Sequence, residues 1–364
     1  MTDDEDTSDR AAARAPVDAG AMAAGLRAGS RAGHDDVRRL VEGVLAGTVD
    51  LDAFGDWLVA LADAGETAVE IAGVAAALRA RMLRLPDVAR APVADTCGTG
   101  GDGSGSFNVS TAAAFVVAAA GQPVAKHGNR AVSSRTGSAD VLERLGVRVD
   151  APPDVAAACL RDLGICFCLA PAHHPAMARV GPLRRSLGRP TVFNLVGPLC
   201  NPAGATVQVI GVGRAAAREP LAEAALLLGA RRAVVVTGHV GNDDRAFDEV
   251  SLFGPTDVTD VSPAGLVRFR WTPEDFGLAT LPAARLADLE VDGPEESAAA
   301  IRGVLAGGRG PRRDVVVLNA AATLWAAGRA ADVPAARALA EQAIDSAAAA
   351  RLLDAFAARS HAAP

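Results

Sequence analysis

The chain has 364 residues and a formal net charge of −7, and half of its residues are hydrophobic although only 4% are aromatic. This length predicts two domains or one large domain with an insertion, and the acidic balance argues against a nucleic-acid-binding protein, which would show basic clusters. The longest apolar runs fall short of the roughly 20 residues of a membrane span, and the acidic N-terminus differs from a signal peptide, so we expect a cytoplasmic protein that binds neither nucleic acid nor membrane.

The N-terminal part of the sequence predicts a tail followed by helices. Residues 1–19 are polar, acidic and rich in alanine, which is typical of disordered segments. From Val37 to Leu83, apolar residues recur at helical spacing, so helices are expected to dominate residues 20–88. Prolines mark the end of this part, and residues 91–96 predict a short strand that leads into a glycine-rich loop.

The rest of the chain alternates predicted strands with predicted helices. Strands are expected at 146–149, 207–212, 233–238 and 314–318, and helices at 112–120, 153–188, 217–228, 320–327 and beyond residue 330. Such alternation predicts an α/β fold with a mostly parallel central sheet flanked by helices. We further expect a smaller, discontinuous all-helical domain of residues 20–88 and 153–195 beside an α/β domain of residues 89–152 and 196–364. The active cleft would lie between them, at the carboxyl ends of the strands.

The cysteines are odd in number and have apolar neighbours, which predicts reduced thiols. They are Cys97, Cys159, Cys166, Cys168 and Cys200. Cys166 and Cys168 alternate along a strand-like apolar run without the spacing of zinc ligands, so we interpret them as small core residues.

A glycine-rich loop over residues 98–106 has the composition of an anion-binding loop. Five of its nine residues are glycine, which allows backbone N–H groups to approach a ligand closely. Asn108 and Ser110 then lead into a predicted helix, whose N-terminus favours phosphate. The loop lacks the lysine of a Walker A motif, and no acidic residue lies between Asp102 and Asp140, where a dinucleotide fingerprint requires one. An ordinary turn before a helix remains the alternative for the loop alone.

A second polar loop is predicted over residues 126–134, and it contains the only lysine of the sequence, Lys126. The ammonium group of lysine is a compact point charge, whereas arginine presents a planar fork. A lysine at this position is therefore consistent with a pocket that holds a phosphate at short range. We expect His127 to shape this loop rather than to act as a general base.

The adjacent histidines His173 and His174 do not predict a metal site, because neighbouring residues on a helix point in different directions. We interpret His174 as a wall of the cleft and His173 as partly exposed. Arg184 and Arg185, taken alone, would predict a solvated helix face.

Three ordered motifs, GTGGD, NVST and KHGNRAVSS with GSADVLE after it, resemble the anthranilate phosphoribosyltransferase family. The resemblance continues through HHPAMARVGPLRRSLG, FNLVGPLCNPA, DEVS and LNAAATLW, from about residue 20 to about residue 345. It implies transfer of the phosphoribosyl group from phosphoribosyl pyrophosphate to the amine of anthranilate, the second step of tryptophan biosynthesis. It also implies magnesium, with two ions expected, and a homodimer that pairs through the helical domain.

The resemblance assigns roles residue by residue, and the implied reaction depends on positioning and charge neutralisation rather than on a catalytic acid or base. The residues implied to bind phosphoribosyl pyrophosphate are Gly98, Gly101, Asp102, Ser106, Asn108, Val109, Ser110, Thr111, Lys126, His127, Gly128, Asn129, Arg130, Ala131, Val132, Ser133, Ser134 and Ser138. Gly98, Asn129 and Arg184 would meet anthranilate, with the Arg184 guanidinium group facing its carboxylate. Ser110, Asp248 and Glu249 would hold magnesium, which prefers oxygen ligands.

Two positions depart from the family pattern. Ala246 and Phe247 precede Asp248 where the family has a glycine and an aliphatic residue, so a bulkier side chain, able to reshape the metal loop, stands there. The run Arg189–Thr191 contains a proline, with its fixed φ and missing donor, where the family has an arginine directly before the threonine. Both changes leave the donor site intact and leave the identity of the acceptor open.

The sequence thus favours an anthranilate phosphoribosyltransferase, a magnesium-dependent glycosyltransferase acting on small molecules. A paralogue that uses a related aromatic amine in secondary metabolism is one alternative. A pyrimidine nucleoside phosphorylase, which has a different phosphate loop rich in serine and threonine, is another, and the KHGNR motif argues against it. A relative that binds nucleic acid without catalysis is disfavoured by the complete motifs and the acidic charge.

Overall fold

The computed structural model describes residues 17–86, 92–131, 135–241 and 245–363. Its centre is a mostly parallel sheet with helices on both faces, which confirms the predicted fold class. The strands are β1 (Ala94–Gly98), β2 (Val124–Gly128), β3 (Ile165–Leu169), β4 (Val207–Gly211), β5 (Arg232–His239), β6 (Ala246–Phe247), β7 (Thr256–Ser262) and β8 (Gly265–Trp271). The helices are α1 (Ala19–Arg27), α2 (His34–Ala46), α3 (Leu51–Ala64), α4 (Ala68–Arg81), α5 (Val109–Ala119), α6 (Ser138–Arg144), α7 (Pro153–Leu163), α8 (Ala170–His173), α9 (Gly181–Leu187), α10 (Phe193–Val196), α11 (Arg218–Leu227), α12 (Pro294–Leu305), α13 (Pro311–Ala326), α14 (Val333–Asp345) and α15 (Ala348–Ser360).

The strand order is β3-β2-β1-β4-β5-β7-β8, and β6 pairs with β5. β1 to β5 run parallel to their neighbours in this order, whereas β7 and β8 add antiparallel strands at one edge. The last residues of β1, β2 and β4 are Gly98, Gly128 and Gly211, so three glycines lie at the carboxyl edge of the sheet. This is the edge at which the sequence predicts the active cleft.

Each face of the sheet has its own hydrophobic core, because side chains alternate between the faces of a strand. On β4, Val209 belongs to a core with α5, α7 and α12 to α15, whereas Ile210 belongs to a core with α1 to α4, α10 and α11. The N-terminal helices therefore share a buried interface with the sheet. The division into a helical and an α/β domain stays a proposal.

The N-terminal helices begin where the sequence provides caps. Asp50 accepts a hydrogen bond from the Ala53 N–H group at the start of α3, and Thr67 forms a capping box with Glu70 at the start of α4. Such caps each contribute about 1 kcal/mol. The apolar stripe predicted from Val37 onward is buried against the other helices, so the helices expected in this part of the chain are confirmed.

Three predicted elements are wrong. Residues 146–149 form a turn and irregular backbone rather than a strand. The predicted strand at 314–318 is part of α13, which begins at Pro311 and buries apolar side chains on most sides. The segment 153–188 is not all helical, because β3 lies within it and pairs with β2 at the edge of the sheet. The periodicity of a short, fully apolar run does not show whether the run forms a buried strand or part of a buried helix.

Other predictions concern the tail, the thiols and membrane spans. Most of the tail predicted over residues 1–19 lies outside the described residues, but Ala19 already belongs to α1. All five cysteines are free thiols, as expected. Among the helices in the described ranges, none combines the length and the apolar character that crossing a bilayer requires.

Candidate active site

A cleft of about 710 Å³ opens at the carboxyl ends of the parallel strands. On one side the cleft is lined by residues 97–101 and 127–130. Residues 102–111, Lys126 and the acidic pair do not line the cleft but are linked to this side by hydrogen bonds, and we call residues 98–111, 126–128 and 248–249 together the donor wall. The other side consists of short helices and turns, and we call residues 170–200 the acceptor wall. Segments that are far apart in the chain thus form one concave site.

Glycine is required at two strand ends because the acidic pair packs against them. A Cβ atom at Gly98 would collide with the carboxylate of Asp248, and one at Gly211 would collide with the Asp248 carbonyl group. The Gly100 N–H group donates to Asp248 Oδ2 over 2.8 Å, and the Thr99 N–H group donates to the Gly211 carbonyl over 2.8 Å. The loop therefore approaches residue 248 more closely than any side chain would permit.

The remainder of the glycine loop is a series of tight turns. Left-handed φ angles of 71°, 78°, 67° and 68° occur at Gly100, Gly101, Gly103 and Gly105. Asp102 Oδ1 accepts a hydrogen bond from the Ser104 N–H group over 2.9 Å, and the Ser104 hydroxyl donates to Ser106 Oγ over 3.1 Å. Backbone of this kind forms the concave arrays of N–H groups that bind anions.

Asp248 and Glu249 are half-buried behind this loop. Desolvation, with the charges of Asp102 and Glu249, raises the pKa of Asp248, and desolvation raises the pKa of Glu249 to about 8. The Ser110 N–H group donates to Glu249 Oε1 over 3.0 Å. Two desolvated carboxylates side by side are unfavourable without a cation, which fits the predicted metal site.

Asn319 on α13, to which the sequence assigned no role, holds the acidic pair from behind. Its Oδ1 accepts a hydrogen bond from the Val250 N–H group over 2.8 Å, and its Nδ2 donates to the Val250 carbonyl over 3.2 Å. The side chain is buried. Because Val250 directly follows Glu249, this amide fixes the backbone of the acidic pair. The only signal in the sequence is that Asn319 is one of two polar residues, with Thr323, in the otherwise apolar LNAAATLW motif.

Lys126 lies on β2 and not in a loop as predicted, and it is 4% exposed. Its ammonium group donates to the Thr96 carbonyl over 2.8 Å and to Ser110 Oγ over 3.2 Å. Burial raises the pKa of the nearby Asp95 carboxyl group, and the charge of Lys126 opposes that shift. A buried cation therefore reaches the N-terminus of α5, where Ser110 contacts Glu249.

The start of α5 collects several of the predicted donor residues. Asn108 immediately precedes the helix, and its Oδ1 accepts hydrogen bonds from Thr136 Oγ1 and Ser297 Oγ over 3.1 and 2.8 Å. The buried hydroxyl of Thr111 has no hydrogen-bond partner among the described residues. A helix N-terminus with an unpaired hydroxyl beside it favours phosphate.

The predicted donor segment continues past β2 to Ala131. Asn129 lines the cleft, and its Oδ1 accepts a hydrogen bond from the Arg130 N–H group over 2.8 Å. The guanidinium group of Arg130 is exposed and pairs with Glu143 over 2.6 Å, so α6 already engages its charge. Ser138 Oγ donates to the Asn129 carbonyl over 3.4 Å. Val132, Ser133 and Ser134 lie outside the described residues.

Two histidines of the cleft present unpaired ring nitrogens. His127 Nδ1 lies 3.1 Å from the Gly197 carbonyl, and His174 Nε2 lies 3.1 Å from the Cys200 carbonyl. A carbonyl oxygen can only accept a hydrogen bond. In each histidine, the ring nitrogen beside the carbonyl must therefore be the protonated one. The opposite nitrogens are buried acceptors without a partner among the described residues. Burial lowers the pKa of both rings, to about 3 for His127, so both are neutral near pH 7.

Arg184 lies in the acceptor wall on α9 and lines the cleft. Its guanidinium carbon is 5.3 Å from the ring centroid of Phe193, and burial lowers its pKa. No carboxylate within the described ranges forms an ion pair with it, whereas the neighbouring Arg189 pairs with Asp63 over 2.7 Å. A half-buried cation without a counter-charge suits an anionic acceptor.

Three further side chains bear on the predictions. His173 is 2% exposed, with Nδ1 2.7 Å from the Leu83 carbonyl, so the expectation of partial exposure is wrong. Phe247 is buried in the hydrophobic core, which accommodates its larger ring by packing. Cys97 lines the cleft, but burial and the nearby Asp95 raise the pKa of its thiol far above the usual value, so it is a poor nucleophile.

The predicted magnesium ligands fit an incomplete coordination sphere. Within the described ranges, no three His, Cys, Asp or Glu side chains converge as metal ligands. Asp248 and Glu249 could supply carboxylates, and Ser110, whose N–H group donates to Glu249, could supply its hydroxyl. Magnesium usually keeps waters and substrate phosphates in its shell, so this oxygen set suits an ion that is bound together with a diphosphate.

Comparison with known sequences agrees with these motifs. Residues 90–350 match the glycosyl transferase family, a/b domain. The anthranilate phosphoribosyltransferase of Rhodopseudomonas palustris (strain BisA53) is 47% identical over 320 residues, which cover 88% of this chain and 91% of that protein. The anthranilate phosphoribosyltransferase of Moorella thermoacetica is 47% identical over 330 residues, which cover 90% of this chain and 94% of that protein.

Solved structures agree with the fold. The crystal structure of anthranilate phosphoribosyltransferase from Thermus thermophilus matches with a TM-score of 0.85 at 42% identity, covering 94% of this chain and 99% of that one. The enzyme from Saccharomyces cerevisiae in complex with PRPP and Mg matches with a TM-score of 0.83 at 27% identity, covering 93% and 97%. Fold, ordered motifs and sequence identity over most of the length agree, and the chain belongs to the anthranilate phosphoribosyltransferase family.

Proposed function

We propose that this protein transfers the 5-phosphoribosyl group from phosphoribosyl pyrophosphate to the amine of anthranilate and releases pyrophosphate. The observation that carries the proposal is the convergence on Ser110. The Lys126 ammonium group donates to its hydroxyl, and its own N–H group donates to Glu249. A buried cation, a helix N-terminus and an acidic pair thus meet beneath the glycine loop, which suits a diphosphate held with a divalent cation.

On the donor side, the chain holds the leaving group. The N–H groups of the glycine loop, the first turn of α5 and the Lys126 ammonium group would bind the diphosphate oxygens and fix C1 of the ribose toward the acceptor wall. Asp248, Glu249 and Ser110 would hold magnesium, for which we propose two ions. Bound there, the metal would neutralise the charge that develops on the departing diphosphate.

On the acceptor side, the chain orients the amine. The Arg184 guanidinium group would bind the carboxylate of anthranilate. The neutral rings of His127 and His174 line the cleft and would pack beside the amine, whose lone pair is free to attack C1. The C1–N bond then forms as the C1–O bond to the diphosphate breaks, and the amine proton leaves to water or diphosphate. A pKa of about 3 makes His127 a hydrogen-bond acceptor rather than a base.

Our proposals for the cellular location, the oligomeric state and the domain division rest on the resemblance to the family. We propose a cytoplasmic homodimer that pairs through its helical part, with residues 20–88 and 153–195 as that part. Support for magnesium comes from the Saccharomyces cerevisiae relative, whose structure contains PRPP and Mg.

A fluorescence assay tests the proposal. Anthranilate fluorescence should fall when the protein is mixed with anthranilate, phosphoribosyl pyrophosphate and magnesium, and chelation of the metal should stop the loss. Related aromatic amines and pyrimidine nucleosides with phosphate serve as comparison substrates. Unchanged anthranilate fluorescence would contradict the proposal, and faster turnover of another amine or phosphorolysis of a nucleoside would replace it.

A further inference from the structure

A second cavity of about 220 Å³ lies at the opposite edge of the sheet. Thr206 and Arg231 line it and directly precede β4 and β5, so it faces the amino ends of these strands. The active cleft faces their carboxyl ends, and a five-residue strand such as β4 spans about 16 Å. The two cavities share no lining residue. We call this second site the back cavity.

The back cavity carries positive charge that is largely uncompensated. Arginines line it at positions Arg79, Arg84, Arg231 and Arg232, and no Asp or Glu of the described ranges does so. Only Arg232 has a carboxylate partner, Asp260, at 3.0 Å. Arg79 donates to the carbonyl groups of Leu199 and Leu228 over 2.6 and 3.3 Å, which satisfies N–H groups without cancelling the charge.

Two of the arginines are unengaged. Arg84 and Arg231 are exposed, and neither forms a hydrogen bond or ion pair with another residue in the described part of the chain. The buried hydroxyl of Thr206 also lacks a hydrogen-bond partner there. This combination marks a concave site that offers unpaired cationic donors and, among its described lining residues, no carboxylate.

We propose that the back cavity binds a small oxyanion, a phosphate or a carboxylate. Guanidinium groups bind both anions through paired N–H donors. The volume accommodates inorganic phosphate. The apolar lining residues Met82, Leu199 and Leu228 also accommodate a small apolar group attached to a carboxylate. The site is distinct from the proposed phosphoribosyl site.

Thermal unfolding of the full chain at constant ionic strength tests this assignment, because an anion that binds the folded state raises Tm. Inorganic phosphate and isobutyrate are the probes. The Lys126→Met background weakens phosphate binding in the active cleft, so the remaining effect reports the back cavity. The Arg84→Gln/Arg231→Gln variant removes two cations of the cavity. The Arg148→Gln/Arg161→Gln variant removes the same charge from exposed arginines elsewhere.

A saturable rise in Tm is expected with one of the two probes, and the more effective probe identifies the ligand class. Half-saturation should become about tenfold weaker or more in the Arg84→Gln/Arg231→Gln variant and stay unchanged in the Arg148→Gln/Arg161→Gln variant. Equal weakening in both variants would show general charge screening and overturn the proposal, as would the absence of a saturable rise with both probes. The same comparison without the Lys126→Met change applies if that background unfolds early.

Discussion

The donor wall is held together by hydrogen bonds between backbone groups and charged side chains, whereas the acceptor wall presents half-exposed side chains on short helices. At the donor wall, Gly98 packs against Asp248, and the buried Lys126 is fixed by the Thr96 carbonyl. At the acceptor wall, short helices carry half-exposed residues, and Arg184 is held by packing on Phe193. A side chain cannot be added at Gly98 without moving Asp248, while the acceptor wall can change its side chains without moving the sheet. We infer that donor recognition is rigid and that acceptor specificity is adjustable.

The largest effect is expected from Lys126→Met, which removes the buried cation and keeps the apolar stem. Loss of a buried, hydrogen-bonded charge should lower kcat/KM for the donor about 1000-fold, equivalent to about 4 kcal/mol. Lys126→Arg should not restore activity, because the planar guanidinium group of arginine does not fit the space that the smaller ammonium group occupies. Steady-state kinetics measure both. Arg130→Met, which removes an exposed cation already paired with Glu143, should cost less than about tenfold.

Gly98→Ala should lower kcat/KM by about 100-fold, since moving the groups that position a substrate by about 1 Å has an effect of this size. The added Cβ atom would collide with the Asp248 carboxylate and move the acidic pair. Gly303→Ala on α12 is the matched control, because a Cβ atom there meets no atom within 4 Å. Equal activity in the two variants, with Tm unchanged, would show that the contact between the glycine loop and Asp248 is not needed.

Arg184→Ala should raise KM for anthranilate about 30-fold and leave KM for the donor unchanged, because a lost charge-assisted hydrogen bond costs about 2 kcal/mol. Arg185→Ala, on the more exposed neighbour, should have a smaller effect. Comparing these two variants tests whether the acceptor wall acts independently of the donor wall. If Arg184→Ala raised KM for the donor as much as KM for anthranilate, the two walls would not be independent.

Asn319→Ala should raise the magnesium concentration for half-maximal activity about tenfold, since the backbone after Glu249 loses two hydrogen bonds. Thr323→Val is the control, because Thr323 is buried one turn further along α13 and bonds only the Asn319 carbonyl. Both variants should lose about 1–3 kcal/mol of stability, but only the first should change the metal dependence. An equal magnesium response in both would remove Asn319 from the site.

Much of the donor wall could be predicted, because its residue types occur in short ordered motifs. The sequence identified Lys126, Ser110 and the acidic pair, and the structure brings them together. The sequence predicted a loop at Lys126. A lysine can lie inside a buried strand only where acceptors from remote parts of the chain reach its ammonium group, and the sequence does not show such acceptors. The Thr96 carbonyl supplies that acceptor, and only the paired sheet reveals it.

The hydrogen bonds of His127, His174 and Asn319 could not be predicted for the same physical reason. Each depends on a backbone group far away in sequence, such as the Gly197 carbonyl that fixes the His127 tautomer. The run at 314–318 has the β-branched composition of a strand, but the following alanines and the leading Pro311 extend it into one helix. The resemblance to the family therefore predicted which residues form the donor wall better than local composition predicted the form of the elements around it.

The central claim is that the donor wall binds the diphosphate of phosphoribosyl pyrophosphate jointly with magnesium. Calorimetric titration of the donor into purified protein measures this directly. We expect saturable heat of binding in the presence of magnesium, with binding strongly weakened after chelation of the metal and in the Lys126→Met variant. Absence of donor binding with magnesium present, or equal affinity in the chelated protein and in the variant, would contradict the account.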